Sequence, residues 1–394
     1  MSFSGLVIVC AVAFAAPLVS RAIPRVRIPD IVLEILAGIV IGPTVLNWVH
    51  VDEPIQVLSM LGLSFLLFLA GLELDMTLLV GRRLRMASTG FVVSVALAAA
   101  ISLGLHALGL VEAALLVAIC LSATALGVIA PILKDAGESG SEFGQLVIAA
   151  SSIADFATIL ALSLLFSRES GSIGAKLVLI GGFAALAGAI VVAMVAAERW
   201  TALTTALFQQ QDSTAQIRIR GAFLLLVGFA AMAGHLGLEV ILGAFVAGAL
   251  LSLLDRDYAR THPKFHEKLD SIGFGVFIPV FFVATGLQFD TGALFATAST
   301  LARVPIFLAA LLIIRGAPAL LYRPMVGTRR TFVAGLLQAT SLPFIVAVTT
   351  IGLELHEMTK PTASALVAAG LLSVVVFPTT AVLLLSGERP EAVV

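Results

Sequence analysis

Residues 122–128 read SATALGV and residues 338–344 read QATSLPF, the same run of small, hydroxyl-bearing and helix-breaking residues 216 positions further on. Each lies inside an apolar stretch, 111–133 and 331–353. About 20 apolar residues are enough to cross a bilayer as a helix, so both qualify as spans. Proline removes a backbone donor and clashes with the preceding turn, and glycine tolerates unwinding. Gly127 and Pro343 hold equivalent positions in the two copies, so both spans are expected to break there. Thr124 sits beside one break, and Gln338, Thr340 and Ser341 beside the other. Non-helical backbone survives in a bilayer only where protein buries it or it lines a cavity. Two broken helices crossing at their breaks would aim half-helix ends, with their dipoles, at the midplane.

Two further repeats extend the pattern outward. LFLAGLELD (67–75) returns as FVATGLQFD (282–290), and EILAGIVIG (34–42) pairs more weakly with EVILGAFVAG (239–248). Apolar runs between polar breaks give thirteen spans, near 2–20, 30–47, 54–73, 86–107, 111–133, 142–167, 173–197, 217–236, 238–254, 271–288, 298–321, 331–353 and 361–386. The repeats join spans 2, 3 and 5 to spans 9, 10 and 12. A shift of seven spans is odd, so the second copy runs through the membrane upside down. Inverted repeats with a site between them are a recurring plan of secondary transporters.

Charge tests the count. Alternate loops, from Arg21, Arg25 and Arg27 through to Arg389 in the tail, hold eighteen of the 23 Lys and Arg. The opposite side holds Arg168, Lys176 and Lys360, while Arg303 and Arg315 fall within the eleventh span. This asymmetry places the N-terminus outside and the C-terminus in the cytoplasm of a cell inner membrane. The fold class is therefore all-α and polytopic, as 60% hydrophobic residues, 12% charged residues and a mean hydropathy of +1.10 require. A net charge of −1 gives no indication of a nucleic-acid partner. Cys10 and Cys120 both lie in apolar runs, which argues against a disulfide framework. The N-terminal apolar run carries its positive charges after it, unlike a signal peptide.

The sixth span, QLVIAASSIADFATILALSLLF (145–166), carries one carboxylate, Asp155, near its middle. An acid at that depth costs about 2.5–3.5 kcal/mol on insertion scales and normally marks an ion or proton pathway. The alternative is a carboxylate paired with a buried arginine for stability alone. Ser151, Ser152 and Thr158 lie at i−4, i−3 and i+3, where they can add oxygens for an alkali cation. Arg315 either snorkels from the end of span 11 or supplies a fixed positive charge that balances the site and ties the broken helices together. Arg303 is expected at the outer interface. Glu34, Glu73, Asp75, Glu239 and Asp290 stand near predicted helix ends, as caps or funnel charges. His262 and His266 lie i, i+4 on a predicted cytoplasmic loop, and two imidazoles alone make a poor metal site. No nucleotide loop, zinc-protease motif or GxSxG elbow is present.

The segments PDIVLEILAGIVIGP (29–43), LSMLGLSFLLFLAGLELD (58–75), SATALGVIAPILKD (122–135), the Asp155 helix and IPVFFVATGLQFD (278–290) together resemble the second monovalent cation:proton antiporter family, which includes Kef-type and bacterial Na+/H+ exchangers. The resemblance covers about residues 27–386. It implies a thirteen-helix fold with a dimerisation domain and a mobile core, working as a homodimer by an elevator-like movement. It implies the ion-binding aspartate at Asp155, a basic partner at Arg315 and the threonine of the first broken helix at Thr124. One departure matters: electrogenic members carry a second aspartate, and others Asn or Gln, where Ala154 stands here.

The expected function is exchange of Na+ or K+ for H+, one for one and electroneutral, with Asp155 holding either the monovalent cation or the proton. No cofactor and no enzymatic activity are expected, because the midplane offers no second catalytic group. A Kef-type potassium efflux pore is the nearest alternative, and a non-transporting sensor or intramembrane enzyme a remote one. The core is expected in residues 54–167 and 271–386 and the dimerising scaffold in 1–47 and 173–254, with no soluble regulatory domain following.

Overall fold

A chain this apolar can satisfy its backbone in a bilayer only by hydrogen-bonding to itself, which favours helices. The computed structural model describes residues 3–22, 29–73, 81–166, 216–254 and 264–386, with single helical positions at 174, 178, 181, 182, 185 and 188. The helices are α1 (Ser4–Ala22), α2 (Asp30–Ile41), α3 (Glu53–Leu72), α4 (Gly81–Ala107), α5 (Ala114–Ser122), α6 (Leu126–Asp135), α7 (Glu142–Leu165), α8 (Ile217–His235), α9 (Val240–Leu254), α10 (Lys264–Ile272), α11 (Ile278–Gln288), α12 (Thr291–Phe295), α13 (Ala298–Leu311), α14 (Arg323–Gln338), α15 (Pro343–Glu354) and α16 (Lys360–Ser386). A π turn (Gly273–Phe277) links α10 to α11, and a second π turn (Leu312–Gly316) followed by a 3₁₀ turn (Ala317–Tyr322) links α13 to α14. Gly327, with φ 78°, interrupts α14 in a conformation that favours glycine.

Twelve of the thirteen predicted spans coincide with a described helix or helix pair. The seventh, 173–197, lies almost wholly outside the described residues, as do Asp75 and His262. Asp30, Glu53 and Glu142 occupy the first turns of α2, α3 and α7, where a carboxylate complements the helix dipole. Helix α4 inverts the amphipathicity of a soluble helix. Ala87, Gly90, Ser94, Ala98 and Ser102 are buried along one face, while Val92, Val95 and Leu103 are exposed. Small residues inward and bulky aliphatics outward is the pattern of a helix packed against helices in lipid.

Packing divides the chain into two units. The larger comprises Met1–Gln56, Met76–Thr158 and Phe282–Val394, and the smaller Val57–Asp75 and Ile159–Phe281.

Each unit contains a close helix crossing built on a pair of glycines, and these two crossings are copies. In the larger unit a Cβ at Gly38 would collide with the Val283 carbonyl, and one at Gly286 with the Ile35 carbonyl. In the smaller unit a Cβ at Gly248 would collide with the Phe68 carbonyl, and one at Gly71 with the Phe245 carbonyl. Phe68 to Val283 and Gly71 to Gly286 are both steps of 215 residues, as the sequence repeat predicts. Ile35 to Phe245 and Gly38 to Gly248 are both steps of 210. The weakest repeat is therefore real but five residues out of the register that its matching glutamates suggest. Backbone approach, which only glycine permits, sets the register.

The larger unit also holds an apolar cluster of Ala87, Ile129, Leu133, Phe143, Leu146, Val147, Tyr322, Val333 and Leu337. It draws on α4, α6, α7, the 3₁₀ turn and α14, the elements that carry the site.

Candidate ion site

Helix α5 ends at Ser122, whose hydroxyl donates to Ala118 O at 2.7 Å and so uses its own helix as partner. Ala123 is extended (φ −73°, ψ 164°), and the chain re-enters helix at Leu126 after Ala125 (φ −111°, ψ 80°). The second break spans Ala339–Leu342, and Pro343 opens α15 at a position where a missing N–H costs nothing. The breaks thus precede Gly127 and Pro343, which lie in the first turns of the second half-helices. Gly127 has no positive φ, and a Cβ there would meet nothing within 4 Å. Its freedom is not what breaks the helix.

The two breaks cross. The Ala125 amide donates to Thr340 O at 2.9 Å, and Thr124 Oγ1 donates to Gln338 O at 3.0 Å. Each chain thereby supplies a polar partner to the other where helical bonding is interrupted, which a buried backbone requires.

Asp155 on α7 faces this crossing. It is 8% exposed, and its Oδ1 accepts the Thr124 amide at a long 3.4 Å. Ser151 and Ser152 are buried one turn before it, and Ser151 Oγ has no hydrogen-bond partner among the described residues. The Thr158 hydroxyl donates back to Ala154 O at 2.6 Å.

Arg315 lies in the second π turn and is 1% exposed. It does not snorkel. Nε donates to Thr124 Oγ1 at 2.8 Å, Nη1 donates to Ser94 Oγ at 3.0 Å, and the Asp155 carboxylate is near enough to attract the guanidinium. Thr124 Oγ1 therefore accepts from the arginine and donates across the crossing. Gln338 Nε2, Ser341 Oγ and Arg315 Nη2 are buried without hydrogen-bond partners among the described residues. In the second break the Thr340 hydroxyl turns back onto Leu336 O (3.2 Å), and the Ser341 amide donates to Ser373 Oγ at 3.2 Å.

The structure brings Asp155, Thr124, Arg315 and the second-break residues, all singled out from the sequence, together in the larger unit. Sequence reasoning missed Ser94 and Ser373. The spacing of small residues along span 4 marks the face that carries Ser94 as buried, but not what Ser94 bonds. Among the peripheral groups, Asp290 caps α12 by accepting Ala293 N at 2.8 Å, as expected. Glu34 and Glu239 are instead buried. Arg303 donates to Thr362 Oγ1 at 3.0 Å. Among the described residues no group of three or more His, Cys, Asp or Glu side chains could hold a metal ion.

What remains is one carboxylate, one guanidinium, several hydroxyl and carbonyl oxygens and two half-helix ends at a crossing. Broken helices crossing beside a buried carboxylate in a multi-pass helical chain are an architecture that recurs among secondary transporters. The family described as "Sodium/hydrogen exchanger, transmembrane" matches residues 10–387, and the chain belongs to it.

Among similar proteins, YjbQ of Bacillus subtilis (strain 168), which carries a Na(+)/H(+) antiporter name, is 31% identical over 395 residues. The match covers 96% of this chain but 62% of YjbQ, so the chain spans under two thirds of that relative's length. The Na(+)/H(+) antiporter of Enterococcus hirae is 25% identical over 298 residues, 74% of each chain. The solved structure of the sodium proton antiporter MjNhaP1 from Methanocaldococcus jannaschii at pH 8 shares the fold. It superposes with a TM-score of 0.68 at 17% identity, covering 97% of this chain and 98% of that one.

Proposed function

We propose that the chain is a secondary active antiporter that exchanges Na+ or K+ for H+ across the cell inner membrane. The observation that carries this is the buried Asp155 carboxylate held against the Thr124 amide at the crossing of two broken helices. The names of the relatives agree with it. Asp155, with oxygens from Ser151, Ser152 and Thr124, holds the monovalent cation. The same carboxylate holds the proton when the cation is absent, and competition for one group couples the two flows. Arg315 stays charged at every accessible pH, so it balances the carboxylate without carrying a proton. Gln338, Thr340, Ser341 and Pro343 form the opposing break and complete the crossing.

With Ala154 beside Asp155, one carboxylate serves the crossing, and one proton leaves for each cation bound. Exchange is then electroneutral. A core of residues 54–167 and 271–386 carries the site past a scaffold of 1–47 and 173–254 in an elevator-like homodimer, with the N-terminus outside and the C-terminus cytoplasmic.

The test is proton flux in proteoliposomes driven in turn by Na+, K+ and Li+. Wild-type protein should exchange at a rate indifferent to a membrane potential clamped at either sign. Asp155→Asn should abolish cation-dependent proton movement, because a neutral amide neither carries the proton nor balances a desolvated cation. Near-normal exchange by that variant would remove the central assignment, and a rate that follows the potential would remove electroneutrality.

A further inference from the structure

A guanidinium is a rigid plane with five N–H donors, and how many of its nitrogens are anchored decides whether the plane can turn. One hydrogen bond leaves rotation about the donor–acceptor line, and two on different nitrogens remove it. In Arg315 the two are Nε to Thr124 Oγ1 at 2.8 Å and Nη1 to Ser94 Oγ at 3.0 Å. The first anchor belongs to the crossing. The second comes from the middle of α4, and Ser94 is fully buried there.

Helix α4 is shaped for that task. A Cβ at Gly90 would stand 2.9 Å from the Tyr322 hydroxyl, so the glycine lets the 3₁₀ turn after Arg315 lie close against α4. One turn further along the same buried face, Ser94 offers its oxygen to the guanidinium. Ser102, two turns beyond, is equally buried, but its hydroxyl has no partner among the described residues. The face therefore carries two fully buried serines, one bonded to the arginine and one not.

We infer that Ser94 is a positioning residue of the exchange site, holding the Arg315 guanidinium plane and, through Nε, the Thr124 hydroxyl at the first break. The inference rests on the exchange reading above. The titratable groups that act on the guanidinium are Tyr322 and Asp155, and the opposite charge is Asp155. Without the Ser94 anchor the plane is free to turn toward that carboxylate. A closer guanidinium competes with the transported cation and favours the carboxylate over its protonated form. Apparent cation affinity should fall, and the pH–rate profile should move toward lower pH.

Ser94→Ala is nearly isosteric and tests this directly, with Ser102→Ala as control. In proteoliposomes S94A should raise the KM for Na+ by about ten-fold, the low end of the effect of one buried hydrogen bond to a charged group, and shift the pH profile to lower pH. S102A should match wild type in both. Should S94A prove hard to recover folded, Ser94→Cys keeps the volume with a much weaker acceptor: a raised KM supports the inference and a wild-type KM overturns it. S94A indistinguishable from S102A in KM and pH profile, in a preparation where Asp155→Asn is inactive, overturns this inference alone. Coupled exchange by Asp155→Asn overturns the underlying reading instead.

Discussion

The two broken helices are copies in sequence, yet they do different chemistry, and Ala123 is extended (ψ 164°) where its mate Ala339 is helical (ψ −6°). At the first break the Thr124 amide points to a carboxylate, Asp155 on α7, and at the second the Ser341 amide points to a hydroxyl, Ser373 on α16. Helices α7 and α16 are themselves mates under the same 216-residue offset, so each break is capped by the corresponding helix of its own half. The threonines diverge in the same way. Thr124 Oγ1 links Arg315 to the opposing Gln338 carbonyl, whereas the Thr340 hydroxyl returns to its own helix. Duplication supplied two stretches of interrupted backbone, but the carboxylate stands in the first half only, and the second half lends that break the Arg315 guanidinium. The second half holds the first in place and lends it carbonyl oxygens.

This division can be broken by experiment. The largest effect is expected from Thr124→Val, which keeps the shape but leaves Arg315 Nε without its acceptor and Gln338 O without its donor. Two buried partners lost at about 1–3 kcal/mol each should raise the Na+ KM by about thirty-fold or more in proteoliposome exchange. Ser373→Ala makes the complementary cut in the structural half. It strands the buried Ser341 amide, so melting in detergent should report a loss of about 1–3 kcal/mol, with the Na+ KM within two-fold of wild type. A larger KM effect from Ser373→Ala than from Thr124→Val would reverse the assignment of the two halves. The smallest effect belongs to Gly127→Ala. An added Cβ there meets nothing within 4 Å, and alanine favours helix by about 1 kcal/mol. Exchange should be unchanged and the melting temperature equal or higher. A clear loss of exchange would mean that the first break needs glycine's backbone freedom after all.

The breaks were legible because a motif that spoils a helix had to occur twice to be useful, and SATALGV and QATSLPF locate both within a few residues. Asp155 was legible because an acid is costly in a lipid-spanning helix. Ser94 and Ser373 were not, since a serine in an apolar helix looks the same whether it bonds a guanidinium, caps an amide or, like Ser102, does neither. Arg315 could be noticed but not placed, because its direction depends on a π turn that leaves no mark in composition. The third repeat was misregistered for a related reason. Matching Glu34 with Glu239 weights side chains, while the structure aligns Gly38 with Gly248, where one backbone meets another.

The π turn at Leu312–Gly316 has a consequence best put as phase. A π turn absorbs one residue beyond the regular helical repeat, and one residue corresponds to about 100° of rotation. Ala319 and Tyr322, both downstream of that surplus residue, are buried in the apolar cluster. Deleting one residue here would leave hydropathy, length and charge almost untouched, yet would turn the following strip of the span toward a different neighbour. Insertions and deletions in this turn are thus graver lesions than most substitutions. A site that depends on Arg315 depends on the count of residues between Pro305 and Tyr322 as much as on the arginine itself.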